Sequence, residues 1–347
     1  MQFINYILGG SSGITVQSDE IIMTAGMSTI QDTMSAVTKS KSFLLFTYKC
    51  QNPNQGPIQN FVRGKILNGT TVEFKINGTA PGNIEIRWFV CTFPAWSPAN
   101  VQHSGDVAMS STPFNQTITA VNVAHAFPIV SFGNNDTAWD NSQPVMAQLT
   151  SSTNLQLTAG SAVSTIVNWQ VIECPSWDVS VYTDYMAAGD TTENTPIATI
   201  NPFDTFMIVS GRNPGSTFTL GNSYPKHFFN SRTQIQAFRV ATGPDFDFTY
   251  HVICTNNECN VMNWAGEQIS GGTNSKLTTI SPINTAKSAL LQNNMMRSVC
   301  LNLTDAQIDG DDVYVLHEII SSTSINHRRW GSPGLTIDFA FTVLEFT

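Results

Sequence analysis

The residues of this 347-residue chain that could do chemistry are six histidines, six cysteines and one dense basic run. His251, and His317 beside Glu318, have no second ligand at metal-binding spacing, and both are expected as lone surface histidines. The cysteines stand at 50, 91, 174, 254, 259 and 300, with no CxxC pair. They read as small buried apolar groups rather than disulfides or zinc ligands, which suits assembly in a reducing cytoplasm. Asp305, Asp309, Asp311 and Asp312 gather around Gly310. An Asp-x-Asp turn with glycine can present carboxylates to Ca2+, but the spacing fits no EF-hand. A solvated turn is expected there and no metal is assigned. In the run His327-Arg328-Arg329-Trp330, Arg328 and Trp330 could grip an acidic partner or a sugar by cation–π and stacking contacts, or belong to a solvated loop. Trp139, flanked by Asp136 and Asp140, is the other candidate sugar contact. No nucleophile elbow, Walker loop or Rossmann fingerprint is present. No catalytic residue and no cofactor is therefore assigned, and the chain reads as a non-enzyme.

The elements that must position these residues are set against an unusual composition. Charged residues make up 12% of the chain, about half of the roughly 25% of an ordinary domain. Lys and Arg number 16 against 25 Asp and Glu, a net charge of -9, which disfavours nucleic acid. No window approaches the ~18 apolar residues of a membrane helix, so no membrane insertion is expected. The N-terminus, MQFINYILGGSSG, lacks the basic and cleavage features of a secretory signal and reads as an arm or as a first strand.

Self-similarity organises the rest. The stretches IEIRWFVC (84–91), TIVNWQVI (165–172), FDFTYHVI (246–253) and IDFAFTVL (337–344) align on Trp88, Trp169, Tyr250 and Phe341. Two residues before each stand Ile86, Val167, Phe248 and Phe339, and two after stand Val90, Val171, Val252 and Val343. The positions between hold residues such as Asn168, Gln170, Thr249 and Thr342. Because side chains alternate along a strand, this predicts four half-buried strands with polar outer faces. Asn68-Gly69 marks a hairpin upstream of the first, and Ser151-Ser152 occupies the equivalent place in the second. Earlier still lie the apolar runs SFLLF (42–46), AFPIVSF (126–132) and TFMIVSG (205–211). The fourth copy is longer, and its AKSALLQNNMMRS could be a short helix.

Four tandem small antiparallel β-sandwich domains follow, an all-β chain: an arm over 1–13, then sandwiches over 14–95, 106–175, 178–255 and 266–347. The segments between them, 93–105 and 255–267 among them, read as loop-like junctions. Each junction carries a tryptophan. Trp96 and Trp177 fold back on their own domain or wedge between consecutive domains.

Trp169-Gln170-Val171-Ile172-Glu173 resembles the W-Q-V-[VI]-E-[FWY] strand that closes repeats in structural proteins of tailed bacteriophages, and Phe341-Thr342-Val343-Leu344-Glu345-Phe346 is similar to a diverged copy. The resemblance implies a virion component, on the capsid exterior or in the tail or fibre apparatus, assembled in the host cytoplasm, contacting other virion proteins and often trimeric. A weaker similarity to the H-type lectin domain supports the fold and trimerisation. The alternative function is an adhesin that contacts host surface glycans. Uncharged polar faces are cheaper to bury than charged ones, so the low charge reads as a sign of contact surface.

Overall fold

The alternation around the four key aromatics becomes four long central strands, each flanked on both sides within its own sheet. The computed structural model describes residues 13–51, 59, 61–135, 144–161, 165–215, 225–239, 242–292, 299–300, 315–330 and 336–347. Residues 1–12 of the arm, Trp139 with Asp136 and Asp140, and the cluster Asp305, Asp309, Asp311 and Asp312 lie outside the described residues.

The first unit runs β1 (Thr15–Met23), β2 (Thr29–Thr33), β3 (Ser42–Cys50), β4 (Arg63–Asn68), β5 (Thr71–Lys75) and β6 (Ile84–Thr92). The second runs β7 (Asn100–His103), β8 (Val107–Ala108), β9 (Phe114–Thr117), β10 (Ala126–Asn134), β11 (Met146–Ser151), β12 (Asn154–Thr158) and β13 (Thr165–Glu173). The third holds β14 (Asp178–Met186), β15 (Thr192–Pro196), β16 (Thr205–Arg212), β17 (Lys226–Ser231), β18 (Gln234–Phe238) and β19 (Phe246–Cys254). The fourth holds β20 (Cys259–Ile269), β21 (Ser275–Thr279), β22 (Ser288–Gln292), β23 (Val299–Cys300), β24 (Leu316–Ser321), β25 (Ser324–Arg328) and β26 (Ile337–Phe346).

Every unit repeats one topology. An inner sheet orders its strands first–last–third, as in β1-β6-β3, and an outer sheet orders them second–fifth–fourth, as in β2-β5-β4. All pairs are antiparallel, so the protein is all-β, built of tandem small β-sandwiches. Repetition extends to single hydrogen bonds. In each outer hairpin the residue-i side chain accepts from the backbone N–H of a threonine two residues on, from Thr70 to Asn68, Thr153 to Ser151, Thr233 to Ser231 and Thr323 to Ser321. That threonine's carbonyl then accepts from Met34, Ile118, Ile197 or Ile280, pinning the loop that leads to the third strand.

Two expectations change. The junctions are not all loops, because β7 and β20 begin at Asn100 and Cys259 inside them. Their alternation is hidden by irregularity. β7 breaks off after four residues, and β20 slips register between Trp264 and Glu267 at Gly266, whose φ of +79° suits glycine. The stretch AKSALLQ is not one short helix: Ala286 and Lys287 end a single 3-10 turn, and Ser288–Gln292 is a strand paired with β26, with Ala289 opposite Leu344. Among the described residues no helix is long and apolar enough to cross a membrane.

The central strands are also not half-buried. Asn168, Gln170, Thr249, His251 and Thr342, all read as outward, are 0–6% exposed. Their faces are covered by neighbouring units, because the four sandwiches close into a ring. The hydroxyl of Ser131 in unit two accepts from the N–H of Gly64 in unit one, at 3.1 Å. The hydroxyl of Ser210 in unit three accepts from Ala147 N in unit two (3.0 Å), and that of Thr47 in unit one accepts from His317 N in unit four (3.1 Å). Thr47, Ser131 and Ser210 occupy one repeat position, as do Gly64, Ala147 and His317. Asn263 of unit four donates to the carbonyls of Pro202 and Thr205 in unit three, which completes the circuit.

These contacts solve the edge-strand problem. The third and fourth strands of each unit are sheet edges, and their free N–H and C=O groups would otherwise be buried without partners. Gln170 brackets Leu44 in the same way, accepting from its N–H at 2.7 Å and donating to its C=O at 3.0 Å. Replacing Ser210 with Ala strands the N–H of Ala147. A loss of about 1–3 kcal/mol in urea unfolding is expected, against near-native stability for Ser210→Thr, the residue type found at position 47.

Candidate functional site

The residues singled out by sequence converge on the ring's seams and axis. Trp88, Trp169, Tyr250 and Phe341 are buried at 0–6% exposure; the first three each face their own sandwich core, and Phe341 belongs to the larger cluster that joins unit four to the axis. Trp88 donates its indole N–H to Asp32 at 2.9 Å, and Phe341 stacks on Trp264 at 6.0 Å. Opposite these aromatics the fourth strand compensates in size. Gly64 and Ala147 stand in the units with Trp, while His227 and His317 stand in those with Tyr and Phe. His227 packs 5.4 Å from Tyr250, and His317 5.7 Å from Phe341. At Gly64 an added Cβ would come within 2.7 Å of Phe46, so the tight side of the exchange has no room. With the fourth strands aligned as well as the central ones, the sequence carries the signal: small residues where the aromatic is tryptophan and histidine where it is not.

The histidines are therefore core groups, which corrects the surface reading of His251 and His317. Burial lowers His251 to about 4 and both His227 and His317 to about 3. His317 and His327 meet Nδ1 to Nδ1 at 2.7 Å, a contact that requires one nitrogen to donate and the other to accept. His327 also reaches Thr278, and burial, then the His317 and Lys276 charges, lower it to about 2. Cys50 is buried, Cys91, Cys174 and Cys259 are buried free thiols, and Cys254 is a partly buried one. Among the described residues no three His, Cys, Asp or Glu side chains gather closely enough to hold a metal.

The basic run closes the ring. Arg328, at the end of β25 in unit four, pairs with Glu20 and Glu85 of unit one and with Glu318 at 3.5 Å. Glu85 also meets Lys49 at 3.0 Å, and the Lys49 ammonium lies 4.4 Å from the Trp330 ring centroid. Burial lowers the Lys49 pKa, and Glu85 works against that shift. Arg329 turns inward and donates to the carbonyls of Thr273 and Ser270. Arg328 and Trp330 thus join one cluster through Glu85 and Lys49, and the partners they hold belong to this chain. Arg328→Ala leaves Glu20 without its cation and Glu85 with Lys49 alone. A loss of about 2 kcal/mol is expected in denaturant unfolding, and Lys49→Met in the same background should lower the midpoint further.

Other seams use the same logic. Lys65 and Lys75 both bridge Glu73 of unit one and Asp106 of unit two, at 3.0–3.4 Å. Lys226 of unit three faces Asp338 of unit four at 3.9 Å. Trp177 wedges between units. It is 0% exposed, surrounded by Phe93, Phe127 and Phe206 with centroids at 5.6–6.2 Å, and its indole donates to Glu258 at 3.0 Å. Trp96, its counterpart one unit earlier, is 74% exposed.

On the axis, the third strands β3, β10, β16 and β22 surround a cavity of about 140 Å3. Leu45, Ile129, Ile208 and Leu291, one from each unit, hold one register position on its wall, opposite Phe89, Gln170, His251 and Thr342 on the central strands. Below them Phe43, Phe127, Phe206 and Ala289 form the tier that abuts Trp177. Thr47, Ser131 and Ser210 border the other side.

Fold and seams together define a single-chain ring of four β-sandwiches whose polar chemistry is directed inward. No family model matches the chain, and no curated protein matches it significantly.

Proposed function

We propose that this protein is a non-enzymatic structural component of a tailed-bacteriophage virion, placed on the capsid exterior or in the tail or fibre apparatus and acting through contacts with other virion proteins. The observation that supports it most is where the reactive side chains are spent. Four of the six histidines, the paired Arg328 and the buried cysteines all serve packing or seams. A ring held this way offers a rigid block of contact surface. The repeat-closing strand at Trp169–Glu173 supports the phage assignment by resemblance.

Trimerisation belongs to the same proposal as an expectation of the resemblance. Small sandwiches gain little stability from their own cores, but here each unit finds its neighbours within the chain, so stability alone does not demand a trimer. Cryo-EM of purified particles carrying this gene product tests the assignment. Density for a four-lobed ring on the particle is expected. A monodisperse monomer by light scattering, absent from particles by mass spectrometry, overturns it. The glycan-binding alternative retains Trp139, and a glycan array with Trp139→Ala as control separates the two readings.

A further inference from the structure

The seams cover the third and fourth strands of the units, so the first and second strands are the ring's open edges. A long free edge invites another strand, and proteins usually blunt it by shortening it, bulging it or charging it. The second strands are short, at four or five residues. Among the first strands, β7 stops after four residues and β20 is bulged at Gly266. β1 runs unbroken for nine residues, but Arg328 of unit four grips its Glu20.

β14 is the exception. Its nine residues, Asp178–Met186, hold continuous register with β19, and among the described residues no strand pairs with the other side. The backbone N–H of Tyr185 turns outward and donates to the adjacent Asp184 carboxylate at 2.8 Å. Alternation then puts the N–H and C=O groups of Val179, Val181 and Thr183 on the same open edge. From Val179 to Thr183 the strand carries no charge and no proline. Val181 is 41% and Tyr185 46% exposed, and both share one sheet face.

One segment of this chain suits that edge. Phe3-Ile4-Asn5-Tyr6-Ile7-Leu8 is uncharged and rich in the aromatic and branched residues that favour strands, and Gly9-Gly10-Ser11-Ser12-Gly13 links it to unit one. Unit one adjoins units two and four rather than unit three, so an arm that meets β14 comes from a second copy.

We propose that residues 3–8 of one copy add as a strand to the open edge of β14 in another, joining rings by β-augmentation. The outer backbone groups of Val179, Val181 and Thr183 then gain partners, and alternate arm side chains cover Val181 and Tyr185. The contact is heterologous, arm to edge, so it passes from copy to copy and closes where the rotation between copies allows. It does not depend on the virion assignment.

Sedimentation velocity of the full chain from about 1 µM to about 100 µM tests this. The weight-average mass is expected to rise with concentration to at least about twice that of one chain. Hydrogen exchange over residues 178–186 should slow in parallel. Deleting residues 2–8, or Val181→Lys, which charges the edge, should restore the single-chain mass with an unchanged circular dichroism spectrum. Should Val181→Lys not fold, Thr183→Lys blocks the same edge. Ile22→Lys, on β1, should leave the association intact. A single-chain mass throughout, association that survives the deletion or a folded lysine variant of β14, or loss of association with Ile22→Lys overturns the proposal. A chain present on particles but single in solution overturns it and leaves the virion reading standing.

Discussion

Acidification from pH 7 to pH 4 is expected to unfold the ring. Burial holds His103 and His251 near pKa 4, His227 and His317 near 3 and His327 near 2, all below the ordinary 6.5. Below pH 6.5 the unfolded chain takes up protons that these folded imidazoles refuse. Stability is therefore intact above 6.5 and falls with pH until each folded value is reached. Each group contributes about 1.4 kcal/mol per pH unit, so five together approach 7 kcal/mol per unit. A typical margin of about 5–15 kcal/mol disappears within two units.

Carboxylates act later. Burial opposes ionisation of Glu73, but hydrogen bonds from Gln31, Lys65 and Lys75 outweigh it and hold its pKa below the usual value. Its contribution persists above the ordinary carboxylate range and is lost beneath it. Urea midpoints measured at half-unit steps from pH 7.5 should be level to 6.5 and then drop steeply. A level profile down to pH 4.5 would contradict the burial of these histidines.

Trp177→Ala is the substitution expected to cost most. The side chain is fully enclosed by aromatics from three units, Phe93, Phe127 and Phe206, and its indole N–H is bonded to Glu258 at the entry to the fourth. Truncating a buried tryptophan costs about 3–5 kcal/mol through lost transfer energy and the cavity left behind. Glu258 is left without its donor as well. Trp96→Ala, at 74% exposure, should stay within about 0.5 kcal/mol of the parent. Paired thermal melts check both. Equal Tm for the two variants would place the wedge elsewhere.

Much of each sandwich could be read from sequence, because alternation reports directly on strands whose one face is apolar. The central strands, the runs SFLLF, AFPIVSF and TFMIVSG, and the hairpin at Asn68-Gly69 all lie in strands or turns where the pattern puts them. The ring could not be read this way. Alternation says that Gln170 and Ser131 are polar, and polarity normally means water. Here both face a neighbour's strand edge and replace the water that edge would need. A hydroxyl or amide can do this at little desolvation cost, whereas a carboxylate cannot. The 12% charge content is in keeping with this, and several of the buried charges, such as Arg328, Glu85, Lys226 and Asp338, stand at the seams. The basic run pointed correctly to a contact, but one dimension could not reveal that its acidic partners lie 243 and 308 residues away in the same chain.

Closing the ring with one polypeptide also frees it from mass action. Four separate sandwiches would associate only above some threshold concentration, and every change to one seam would be repeated at the other three. Tethered in series, each sandwich meets its neighbours at a local concentration set by short connections, in the millimolar range, however dilute the protein. Copies can then diverge singly. One seam took a tryptophan wedge, another an arginine between two glutamates, and the fourth unit lengthened beyond Gln292. The outline keeps its fourfold repetition while the surface presents one orientation only, as an asymmetric neighbour would require.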